Sequence, residues 1–129
     1  MEEKEIEKDV SSRIIDCFFI VYNNLGFGYL EKVYENSLKV ELEALGYEVQ
    51  PQKPIKVKYK GVEVGEYFAD LYVDRSVIVE IKTAAKLTSE HESQLINYLT
   101  STNTGHGVLL NFGPRPAFKR MINSFSKQP

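Results

Sequence analysis

The sequence predicts an α/β domain with a mixed central β-sheet flanked by helices, its elements in the order α-α-β-β-β-α-β-α. Three observations carry this prediction. Apolar residues recur at helical spacing up to Leu45. From Ile55 to Lys82 the period changes to two. After Ser89 a further helical stretch leads into GVLLNFG, a short apolar run bounded by glycines, as expected of a strand covered on both faces.

Over residues 4–23, Ile6, Val10, Ile14, Cys17, Phe18 and Val21 share one side of a helix that Asn23 and Asn24 close. The turn Leu25-Gly26-Phe27-Gly28 leads to a second helix through Leu30, Val33, Tyr34, Leu38, Leu42 and Leu45, ended by Gly46. Pro51 and Pro54 stop helical propagation. KPIKVKYKG then alternates Ile55, Val57 and Tyr59 with Lys56, Lys58 and Lys60, the pattern of a half-buried strand. Gly61 and the segment Asp74-Arg75-Ser76 turn the chain twice, so VEVGEYFADLYV and VIVEIK complete a three-strand meander. Ser89 and Glu92 have capping-box spacing for a third helix that reaches Thr104-Gly105. Pro116 opens a last short helix through Phe118, Met121, Ile122 and Phe125.

A length of 129 residues suits a single domain spanning 1–129, and 43% apolar with 26% charged residues is ordinary for a chain that folds. No stretch approaches the roughly 20 apolar residues of a membrane span, and MEEKEIEKDV is acidic where a signal peptide would be basic. The expected location is therefore cytoplasmic, with no membrane partner. Cys17 has no second cysteine to pair with and lies in IIDCFFIVY, so it reads as a core residue. His91 and His106 lack metal-ligand spacing and read as surface or loop residues. Net charge is −2, yet Arg115, Lys119, Arg120 and Lys127 are unopposed after Glu92. A basic C-terminal third suits a surface that faces phosphates. The adjacent Phe18 and Phe19 could dock the first helix on a second copy, which leaves a homodimer open.

The informative geometry lies in the hairpin FADLYV to VIVEIK. A three-residue loop pairs Val73 with Val77, and counting outward sets Asp70 opposite Glu80. Opposed side chains in an antiparallel pair have Cβ atoms about 5 Å apart, and like charges there need compensation. A divalent cation supplies it. Lys82 follows Glu80 by two residues and shares its face, while Leu71, Val73, Val77, Val79 and Ile81 occupy the other. Two carboxylates and an ammonium in one patch suit phosphodiester hydrolysis, with Mg²⁺ or Mn²⁺ on the carboxylates and the lysine orienting water.

At these residues the chain resembles the PD-(D/E)XK phosphodiesterase superfamily, with Asp70 on one strand and Glu80-Ile81-Lys82 on the next. Ala69 stands where the motif's proline would be. A closer resemblance is to the small bacterial proteins named GxxExxY, carried by Gly28 through Tyr34 and by GEYFADL, IVEIK, EHESQLINYL and LLNFG. The resemblance implies a restriction-endonuclease-like core and a metal-dependent nuclease acting on nucleic acid, DNA first among candidates. It implies Asp70, Glu80 and Glu31 as metal ligands, with Lys82 and Gln94 completing the catalytic set. Gln94 and Tyr98 resemble a Q-x-x-x-Y motif found after E-x-K in related exonucleases. With Tyr34, Lys119 and Arg120 they form the expected substrate-binding set. The alternative is a module on the same fold that binds nucleic acid or protein without turnover. The intact acid, acid and lysine argue against it.

Overall fold

The structure, a computed structural model, describes residues 9–123. Two helices, α1 (Val10–Leu25) and α2 (Glu31–Ala44), precede the strands β1 (Val49–Tyr59), β2 (Val62–Val73) and β3 (Val77–Lys82). Helix α3 (Ser89–Thr102), β4 (His106–Phe112) and β5 (Pro116–Ile122) follow. The strands form one sheet in chain order. β1, β2 and β3 are an antiparallel meander, β3 and β4 run parallel across the α3 connection, and β5 returns antiparallel to β4.

Both faces of the sheet are covered, as a parallel central pair requires. On one face α1 and α2 bury Ile14, Phe18, Tyr34, Leu38 and Leu42 against Leu71, Val79, Ile81 and Leu110. On the other, Leu95, Tyr98 and Leu99 of α3 close over Ile55, Ala69, Ile78 and Leu109. Cys17 lies in the first core, where burial pushes its thiol up to about 11 and leaves it a small hydrophobe. Phe18 is buried too, whereas Phe19 is partly exposed and meets Phe118 edge-on at 6.0 Å between ring centroids.

Four local expectations are corrected. The final element is a strand, so the order is α-α-β-β-β-α-β-β within the predicted α/β class. Without β5 one side of the β4 backbone would be unpaired, and seven residues from Pro116 to Ile122 satisfy it. Pro116 can start that strand because it needs no ladder donor there. Helix α1 begins at Val10, where the Asp9 carboxylate accepts from Ser12 N at 2.8 Å. Ile6 lies outside the described residues. The cap of α3 is Thr88, whose hydroxyl accepts from His91 N while His91 Nδ1 accepts from Thr88 N. His91 is thus a capping residue, and the Ser89–Glu92 box does not form. β1 runs through Pro51 and Pro54, which its position at the sheet edge permits.

The β1–β2 ribbon turns over midway. Val49, Leu71 and Val73 face the α1–α2 side, but Ile55 and Ala69 belong to the α3 side. Between them Gln52 has φ 53°, and the pairing skips the Gln52–Asp70 position. Asp70 therefore stands at the bend of the ribbon.

Candidate active site

The hairpin has the predicted loop and register. Asp74 and Arg75 adopt left-handed φ values of 53° and 52°, and Val73, Tyr72 and Leu71 pair with Val77, Ile78 and Val79. Beyond Leu71 the backbone ladder stops. Ile81 N–H donates instead to Asp70 Oδ2 at 2.7 Å, and Asp70 N–H donates to Glu80 Oε2 at 3.3 Å. The strands part at this point, and each of the two carboxylates accepts a backbone amide of the opposite strand. That exchange holds both acids between the strands with backbone donors fixing one oxygen of each.

The electrostatics follow from this confinement. Burial raises the Asp70 carboxyl, helped by the charges of Glu35 and Glu31 and opposed by the Ile81 amide and by Lys82. Burial beside the Asp70 charge pushes the Glu80 carboxyl up to about 8, against the pull of Lys82 and the Asp70 amide. Lys82 is half-buried. Two acids that resist ionising together, with a lysine whose charge both feel, form a site that favours an added positive charge.

Glu31 projects from the first turn of α2 as an exposed residue, and its charge reaches both Asp70 and Glu80. One turn on, Glu35 is 4% exposed, ion-paired with Lys32 at 3.1 Å and bonded through both oxygens to Gln52 Nε2. Sequence reasoning passed over Glu35 and Gln52, although spacing of four from Glu31 sets Glu35 on the same helix face. Gln52 ties α2 to the ribbon at the bend that carries Asp70.

A second overlooked brace lies beyond Lys82. Asn111, fully buried in an otherwise apolar strand, accepts from Ala84 N at 2.9 Å and donates to Ala84 O at 3.0 Å. It pairs with Lys82 across β3 and β4, so the exit of the E-x-K strand is clamped from its neighbour. A Cβ on Gly113 would stand 2.0 Å from Ala84 O, and only glycine fits there. The signal available beforehand was a lone polar residue inside LLNF.

Of the expected substrate contacts, Gln94 is exposed and Tyr98 is largely buried, and both line a groove beside the ribbon. Burial pushes the Tyr98 phenol up to about 12, with the Glu80 charge adding to the effect, so the ring stands near the acids and stays neutral. Tyr34 is corrected to a core residue. It is 0% exposed, stacks on Phe112 at 4.3 Å and donates its hydroxyl proton to Gly26 O at 2.6 Å. From within the core it holds the loop before α2. Lys119 and Arg120 are strand neighbours and point to opposite faces. Lys119 pairs with Leu109, which pairs with Glu80, so it lies on the same row two strand spacings away, roughly 10 Å. Arg120 turns toward α1 and bonds Ser11 Oγ at 2.8 Å and Asp9 at 3.4 Å.

Among the described residues no group of three or more His, Cys, Asp or Glu side chains is gathered tightly enough to hold a metal ion. The donor set at the parted strands is a carboxylate pair of hard oxygen donors. That chemistry fits Mg²⁺ or Mn²⁺, which commonly takes one or two carboxylates and completes its shell with waters and substrate phosphate.

Comparison with known proteins bears on what the acids do. Residues 8–122 match the family described as the PD-(D/E)XK nuclease superfamily. A solved structure described as the crystal structure of SSO0001 superposes with a TM-score of 0.54 at 21% identity, over 71% of this chain and 49% of that one. The likeness is one of fold, and the chain spans about half the length of that protein. No curated protein sequence matches.

Proposed function

The chain belongs to the PD-(D/E)XK nuclease superfamily, and we propose that it hydrolyses phosphodiester bonds in nucleic acid, DNA above all, with a divalent cation. The observation that carries this reading is the opened ladder, where Asp70 and Glu80 face into one gap with Lys82 beyond them. Asp70 and Glu80 would hold Mg²⁺ or Mn²⁺, with Glu31 orienting the site from α2. When bound, the cation polarises a phosphate oxygen and lowers the pKa of water.

The chain's own residues do the rest. The Ile81 and Asp70 amides keep the carboxylates from rotating away. Lys82, clamped through Asn111 and Ala84, presents its ammonium to the attacking water or to the negative charge that builds on the phosphoryl oxygens. Gln94 offers an amide to the substrate, and Lys119 meets a phosphate farther along the same face. The test is a titration of Mg²⁺ and Mn²⁺ against labelled linear, nicked, branched and single-stranded DNA, and single-stranded RNA. Metal-dependent cleavage lost in Asp70→Asn and Glu80→Gln is the expected result. Cleavage of none of them by the wild type, under any metal, would leave a binding module in place of the enzyme.

A further inference from the structure

A groove of about 670 Å³ runs between α3 and the distal half of the β1–β2 ribbon. We propose that it binds the bases of a single-stranded nucleic acid whose backbone leads to the Asp70–Glu80 gap. The proposal rests on the nuclease reading for what happens at that gap and stands on separate observations for the groove.

The first observation is an aromatic pair. Tyr67 of β2 is 48% exposed and lies 5.4 Å from the Tyr98 ring, tilted by 40°. Tyr98 is buried in one cluster with Ala69, the neighbour of Asp70, and Ile78, two residues before Glu80, so the pair joins the groove to the acids. The free face of Tyr67 is a stacking platform at the mouth of that junction.

The second observation is the chemistry of the α3 wall. Ser93, Gln94 and Asn97 are exposed along the groove. They bring hydroxyl and amide groups that both donate and accept, as base edges require. The third is charge. Among the described residues lining the groove, Glu90 is the one with a charge, and none is a lysine or arginine. A nucleic-acid backbone, single or double, binds through cations, so the phosphates of a bound strand would lie outside this groove and its bases inside. A wall of amides, hydroxyls and rings, with its one carboxylate at Glu90, suits bases and not phosphates. The volume falls in the range of sites that take one small molecule, which suits one or two unpaired nucleotides and excludes a stacked helix.

The experiment measures fluorescence anisotropy of labelled oligo-dT, oligo-dU, oligo-U and a duplex of equal length, in EDTA so that nothing is cut. Wild type should bind single strands more tightly than duplex, and the oligo-dU arm, which differs from oligo-U only in the sugar, identifies the sugar preferred. Tyr67→Ala should weaken single-strand binding roughly five- to a hundredfold, the loss of one stacked base. Tyr67→Phe should retain it. Because Tyr67 also packs on Tyr98, a second variant fills the groove from an exposed helix position: Ser93→Trp should block single strands with an unchanged melting temperature. Duplex binding as tight as single-strand binding overturns the proposal. So does wild-type affinity in both Tyr67→Ala and Ser93→Trp, or the absence of any single-strand binding. A protein that binds through Tyr67 yet cuts nothing with Mg²⁺ or Mn²⁺ removes the nuclease reading and keeps the groove. One that cuts duplex without binding single strands does the reverse.

Discussion

Lys82 is where catalyst and passive ion pair part company. Lys82→Ala leaves Asp70 and Glu80 with their backbone donors, so cation binding should survive or tighten, because an ammonium beside a divalent ion repels it. Cleavage should fall by orders of magnitude. Titration calorimetry and a cleavage assay on the one variant read both quantities, and unchanged cleavage would remove Lys82 from the chemistry. Glu80 adds a pH signature. Its folded carboxyl is raised to about 8 against an ordinary 4.5, so the folded state keeps a proton that the unfolded chain releases. Between those values the unfolded state binds fewer protons, and stability falls as pH rises, levelling above about 8. The metal-free protein should lose several degrees of melting temperature over that window, and Mn²⁺ should restore them at the alkaline end. Glu80→Gln should flatten the slope. A slope that persists in Glu80→Gln assigns it to another group.

At the scale of elements, the site is held by what stands behind it. β3 leaves the sheet under a clamp made by Asn111 and Ala84, with Gly113 pressed against the same peptide. Gly113→Ala should cost about 1–3 kcal/mol through forced backbone displacement, read as a drop in melting temperature. Asn111→Ala should cost a similar amount, since it strands the Ala84 donor and acceptor. Either variant melting like wild type would deny the clamp. β5 carries a contrast between neighbours. Lys119 shares the row of Glu80 while Arg120 is tied to Ser11 and Asp9 on the far face. Lys119→Glu should weaken nucleic-acid binding, and Arg120→Glu should leave it intact and loosen the start of α1. Equal losses in anisotropy would place the contact along the whole edge of the sheet.

For the molecule as a whole, a net charge of −2 means that attraction to phosphate has to come from a few placed cations such as Lys119. Affinity should fall with salt, by a slope of about 0.7 for each phosphate met on a single strand, and Lys119→Gln should reduce that slope by nearly one such contact. A slope near zero would argue that stacking in the groove dominates. No described helix is long and apolar enough to cross a membrane. The layers, two helices on one face and one on the other, leave Asp70 and Glu80 together where β2 and β3 part.

What the amino-acid order determined alone was whatever depends on near neighbours. Helical and strand periods are local, and the three-residue loop sets hairpin register, so the shared position of Asp70, Glu80 and Lys82 was legible before any fold was known. The strand at GVLLNFG was legible for the same reason. Only tertiary structure decided the rest. Residues 116–122 carry a helix-compatible spacing, and it is the unpaired side of β4 that draws them into a strand. Tyr34 lies on the buried face of α2, and stacking on Phe112, some eighty residues later, makes it part of the core. The parting of β2 from β3, the Gln52 tie to Glu35 and the groove under Tyr67 all join residues distant in sequence. Their energy comes from contacts that exist only once the chain has closed on itself, so no local pattern encodes them.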